Sequence, residues 1–109
     1  MNNAIDWELG TKLAGNSREA AEELLTILVK NLPDDLKRIK KLWQEKKYSA
    51  LLEQVHRLHG ALCYCGTPQL KFATSALESA LNKHNVTDVP MLIEQFEAAV
   101  QNVLNSLAS

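Results

Sequence analysis

"LLEQVHRLHGALCYCG", Leu51 to Gly66, sets leucines and a valine at helical spacing and breaks them up with two histidines, two cysteines and a mid-segment glycine. At about 100° per residue, Leu51, Leu52, Val55, Leu58 and Leu62 gather within an arc of about 120°, the inner face of an amphipathic helix predicted from about Tyr48 to Cys65. His56 falls just outside that arc with Gly60 and Cys63 beside it, so its ring is expected to be partly exposed. His59 lies nearer the apolar arc, about 60° round from His56, and this spacing lets the two imidazoles share one site.

The rest of the chain repeats the helical period. Four glycines and three prolines occur, and they fall at apparent boundaries. A short first helix is expected over Asp6 to Ala14, stopped by Gly15, with Asn16 opening the next helix and Glu19 as its capping-box partner. Leu24, Leu25, Leu28 and Leu32 form an apolar stripe, and Pro33 is expected to break or kink the run before it resumes through Leu36, Ile39, Leu42 and Trp43. Asp34 and Asp35 suit the positive end of a helix starting there. Thr67 as N-cap and Pro68 at N1 start another helix, with Leu70, Ala73, Ala76, Leu77, Ala80 and Leu81 inward. After a loop over 82–87, a last helix from about Asp88 to Leu107 turns Leu92, Ile93, Phe96, Val100, Val103 and Leu104 inward. These elements predict an all-α fold, an antiparallel four-helix bundle with an additional short N-terminal helix or helices, as a single domain over 1–109 whose core bundle spans about 17–107.

At 109 residues the chain has room for one core and not for a cofactor domain plus a substrate domain. With 12 basic and 13 acidic residues its net charge is −1, which leaves no footprint for nucleic acid. No run of about 18 uncharged apolar residues exists, and Met1, Asn2 and Asn3 lack the basic and apolar regions of a signal peptide, so a cytoplasmic domain without direct membrane contact is expected. Cys63 and Cys65, two apart on one predicted helix, point to different sides and are expected to stay reduced. Lys37, Arg38, Lys40 and Lys41 read as a solvated helix face.

Three readings compete for the histidine helix. The plainest makes both histidines ordinary boundary residues. A metal site could use His56, His59 and Cys63 at i, i+3 and i+7, but it needs a fourth ligand from elsewhere and no CxxC or second histidine pair supplies one. Glu53 and His56 spell the Glu-x-x-His of di-iron bundles, yet His84 has no Glu three residues before it, so the required second copy is missing. The third reading starts from Gly60, which costs about 1 kcal/mol relative to Ala inside a helix. One turn after His56 on the same side, it clears space for a partner's backbone or for a bulky group on the His56 ring. A nucleophilic or phosphate-carrying histidine accounts for that cost, and a core histidine does not.

His56-Arg57-Leu58-His59-Gly60-Ala61, followed by Gly66 and Leu70, resembles the signature of histidine-containing phosphotransfer (HPt) domains, His-x-Leu-Lys-Gly-Ser/Ala with a later Gly and Leu. The likeness extends over nearly the whole chain. Ile5-Asp6-Trp7, Leu32-Pro33 and the His in place of Lys at position 59 resemble the C-terminal HPt domain of BarA/GacS-type hybrid sensor kinases.

The resemblance implies that His56 takes a phosphoryl group from a receiver-domain aspartate on its Nε2 and passes it to a response-regulator aspartate. A free histidine, with pKa near 6.5, is mostly neutral at cytosolic pH and so already nucleophilic. The residue 22 positions on is often Gln or Glu in the family; here it is Glu78, the implied acceptor for His56 Nδ1–H, against the plain alternative of a solvated helix residue. His59, in place of the usual Lys, is expected to support the phosphoryl group without accepting it, and Gly60 to give steric access. No glycine-rich phosphate loop and no acidic cluster occur, so no cofactor of its own is expected, and Mg²⁺ would belong to the partner receiver. The expected partners are the receiver domains of a hybrid kinase, itself anchored in the inner membrane, and of a response regulator, with this domain monomeric. A helical docking module without turnover is the alternative, and a His/Cys metal-binding bundle is the third.

Overall fold

The structure, a computed structural model, describes residues 4–108, and Met1 to Asn3 lie outside the described residues. Its elements are α1 (Trp7–Leu13), α2 (Arg18–Gln44), α3 (Tyr48–Leu62), α4 (Pro68–Asn82) and α5 (Val89–Ala108). Helix α2 packs on α3, α3 on α4 and α4 on α5, and α5 closes back on α2, while α1 lies along α2. Short connections reverse the chain at each step, which gives the antiparallel four-helix bundle and short N-terminal helix expected from the sequence. Among the described residues no helix is long and apolar enough to cross a membrane.

Helix α1 starts at Asp6, whose carboxylate accepts from the Leu9 N–H at 3.0 Å. It ends where Gly15 and Asn16 both take left-handed φ, +73° and +65°. That geometry moves the start of α2 one residue beyond the expected Asn16. An N-cap needs extended backbone, and Ser17 has it (φ −109°, ψ 112°), with its Oγ accepting from the Ala20 N–H at 3.1 Å. Glu19 therefore stands at N2 and not at N3.

The expected break at Pro33 does not occur, because α2 runs uninterrupted for 27 residues. A proline inside a helix costs about 3 kcal/mol. Leu25, Leu28, Leu32, Leu36, Ile39 and Leu42 stay buried in one stripe across it, at about 1.5–3 kcal/mol each, and together they outweigh that cost. The proline ring itself sits on the exposed side.

Helix α3 ends at Leu62, three residues short of the expected Cys65, so the two cysteines do not share a helix. Bonds from Tyr64 N–H to the Ala61 carbonyl and from Cys65 N–H to the Leu62 carbonyl, each 3.2 Å, tighten the chain into a turn. The turn is fastened to the N-terminal segment by Asp6 N–H donating to the Gly66 carbonyl at 2.7 Å. A Cβ on Gly66 would run into the Asp6 carbonyl oxygen and the Gly10 backbone, so a glycine is required there. Thr67 and Pro68 open α4 as expected, although Thr67 caps with no side-chain bond and its buried Oγ1 has no hydrogen-bond partner. In α4, Ala76 is only half-buried, and Thr74, which the apolar pattern misses, is fully buried with its hydroxyl donating to the Leu70 carbonyl at 2.8 Å.

Candidate functional site

The site lies on the seam between α3 and α4. Val55 and Leu58 are buried, so the residues after each of them come to the edge of the inner face. There the His56 side chain is 75% exposed and that of His59 26%. The turn over 63–67 sends α4 back along α3, so Glu78 stands opposite both histidines with its side chain only 13% exposed. His56 Nδ1 lies 2.5 Å from Glu78 Oε2, and His59 Nδ1 lies 2.7 Å from Glu78 Oε1.

An ionised carboxylate only accepts, so each ring donates through Nδ1–H and one Glu78 oxygen serves each imidazole. Burial pushes the Glu78 carboxyl up, but the hydrogen bonds from His56 and His59 and their charges outweigh it and leave the carboxyl below its ordinary value. The carboxylate is thus ionised at neutral pH. With Nδ1 committed as a donor, the neutral His56 ring carries its lone pair on Nε2. This is the arrangement of a nucleophile whose second nitrogen is oriented by a carboxylate.

Gly60, one turn after His56, is exposed, and a Cβ built there would meet nothing within 4 Å. Among the described residues nothing packs against this position, in contrast to Gly66. Arg57 beside His56 pairs with Glu53 at 3.1 Å on the open surface. Both cysteines are free; Cys63 caps α3 half-buried, and Cys65 is buried, its thiol pushed up by that burial. Among the described residues no group of three or more His, Cys, Asp or Glu side chains is arranged to hold a metal ion.

Periodicity did not reveal the surface around the site. A groove of about 310 Å³ between α2 and α3 includes Ile27, Arg57, Ala61 and Tyr64, and one of about 390 Å³ between α1 and α4 includes Leu13, His59, Lys71 and Phe72. Phe72, Tyr64 and Ile27 are among the most exposed large apolar side chains, which a per-helix pattern marks only as mismatches. Of the basic run on α2, Arg38 reaches Gln54 on α3 and Lys40 reaches Glu97 on α5, each at 3.2 Å, so part of that face ties helices together.

Residues 23–106 match the family described as Hpt domain. The sensor protein GacS of Pseudomonas syringae pv. syringae is 33% identical over 96 residues, which cover 88% of this chain and 10% of that protein. Sensor histidine kinase GacS of Pseudomonas protegens is 37% identical over 81 residues, covering 74% and 9%. The signal transduction histidine-protein kinase BarA of Escherichia coli is 26% identical over 80 residues, covering 73% and 9%. The chain therefore spans about a tenth of the length of the curated relatives it matches. Among solved structures, the HPT domain of a Shewanella Hpt sensor hybrid histidine kinase is 27% identical with a TM-score of 0.71, covering 98% of each chain. The chain belongs to the Hpt domain family and is homologous to the phosphorelay domains of hybrid sensor kinases.

Proposed function

We infer that the protein is a phosphorelay intermediate whose His56 accepts a phosphoryl group from a receiver-domain aspartate and passes it to a response-regulator aspartate. The His56 Nε2 lone pair attacks the phosphorus of the acyl phosphate, an N–P bond forms, and the P–O bond breaks with the aspartate carboxylate as leaving group. The phosphorylated ring keeps its Nδ1 proton, and its positive charge faces the Glu78 carboxylate. Transfer to the second aspartate reverses the same steps. Mg²⁺ is supplied by the receiver, and the chain contributes no nucleotide site. His59 supports the site without accepting the group, and Gly60 lets the receiver's backbone approach. The partners are cytoplasmic receivers.

The observation that carries this reading is one exposed imidazole held through Nδ1 by an occluded carboxylate, so that Nε2 is the free nucleophile. The test is His56→Gln, a substitution of an exposed side chain outside the core. Transfer of label from a phosphorylated receiver should disappear while the fold and receiver binding persist. Label transferred at the parent rate would refute the relay, and label found on His59 would refute the assignment of the acceptor.

A further inference from the structure

Both oxygens of Glu78 are occupied, one by each imidazole. A glutamate has three rotatable side-chain bonds, and a single hydrogen bond to His56 would leave the carboxylate free to swing about that contact. The bond from His59 Nδ1–H to Oε1 removes that freedom and fixes the plane in which Oε2 meets His56. His59 is also poorly placed to act as the signature's lysine does. Its ring is three-quarters covered, and its Nδ1 is already spent on Glu78, whereas a lysine has a long flexible stem and three donors.

We propose that His59 is a positioning residue that acts on the phosphoryl acceptor through Glu78: it pins the carboxylate that orients His56 and makes no contact of its own with the phosphoryl group. This rests on the reading of His56 as the carrier. It distinguishes the chain from the lysine form of the signature, because the residue at position 59 prepares the nucleophile before any phosphoryl group arrives. The occluded carboxylate is a group whose orientation repays a second support.

The experiment loads the protein with phosphoramidate, a small donor that needs no receiver and releases ammonia as the N–P bond to His56 forms. His59→Ala should slow loading of His56 about tenfold, a coupling ordinary for residues in one hydrogen-bonded network. His59→Asn, which keeps a donor at the Nδ1 position and has nothing at Nε2, should return the rate to within about threefold of the parent. His59→Gln, which reaches instead toward the Nε2 position, should not. In a Glu78→Gln background, His59→Ala should add less than about twofold. Ring ¹⁵N spectra of the parent at pH 8 should show both imidazoles as the Nδ1–H tautomer, and His59→Ala should mix the His56 tautomers.

Rescue by His59→Gln and not by His59→Asn, or independent effects of His59 and Glu78, would overturn the proposal in favour of direct contact with the phosphoryl group. An Nε2–H tautomer at either ring of the parent would overturn it with no variant needed. If the parent loads on His56 and these signs are absent, the positioning role alone falls. If phosphoramidate leaves His56 of the parent unlabelled, the carrier reading falls and the positioning role falls with it.

Discussion

Gly60→Ala separates stability from transfer because the two effects should have opposite signs. Gly60 stands in the last turn of α3, where Ala is still favoured over Gly, by up to about 1 kcal/mol, and beyond the helix's own backbone the added methyl group meets nothing within 4 Å among the described residues. For a domain of this size that is an increase in Tm of up to about 4 °C, read by thermal denaturation followed by circular dichroism. If His56 is the phosphoryl carrier, the same methyl group faces the approaching receiver, about 6 Å along the helix axis from His56. A displacement on the order of 1 Å at the reacting atoms can cost up to about a hundredfold in rate, so receiver-to-His56 transfer should fall about tenfold, and Gly60→Gln should lower it further. Loading by phosphoramidate, which needs no close protein partner, should change little. A less stable Gly60→Ala variant would show that the glycine serves the fold. A more stable variant with unchanged transfer, even as Gly60→Gln, would show that no partner comes close there.

Gly66→Ala should behave in the opposite way, because its Cβ meets the backbone of Asp6 and Gly10 and not open space; a loss of about 1–3 kcal/mol is expected in chemical denaturation, with faster amide exchange in α1. Phe96, fully buried, should cost about 3–5 kcal/mol when replaced by Ala, measured in the same way. The Glu78 carboxyl is held below its ordinary value of 4.5 in the folded protein, so its contribution to stability is fully present above about pH 4.5 and is lost as the pH falls through the lower folded value. The stability difference between the parent and Glu78→Gln should accordingly shrink as the pH falls below that value; a difference that grows there would contradict the assignment.

Most of the bundle could be read from single-helix patterns, because Leu51, Val55, Leu58 and Leu62 on α3 and Ile93, Phe96, Val100 and Val103 on α5 are each buried where their spacing puts them. The departures come where a neighbouring element overrides a local signal. Pro33 signals a break, but the stripe on either side of it is held by the facing helices. Cys65 continues the α3 pattern, yet α1 draws it and Gly66 into a turn through the Asp6 bond. At the site, the spacing of His56 and His59 on one helix was legible and Gly60 carried the physical hint, while Glu78 came only from the family signature. That Glu78 also holds His59 was not legible at all, since the contact depends on the register between α3 and α4, which no pattern within one helix encodes.

That register explains why so small an element as α1 is part of the machinery. Glu78 reaches both imidazoles only if α4 starts at one rotation and one height relative to α3, and those are set by the five residues of the connecting turn. A slip of one residue in the register of α4 would rotate the Glu78 position by about 100° and shift it about 1.5 Å along the axis, enough to lose both hydrogen bonds. Core burial on α3 and α4 constrains the rotation, and the turn, tightened by its own hydrogen bonds, is tied down from outside by the bond from Asp6 to Gly66 and the close approach of Gly10. Helix α1 supplies both. A seven-residue helix far too short to be stable alone thereby fastens the turn that aligns the carboxylate with the two histidines, with Gly66 as the point where it is held.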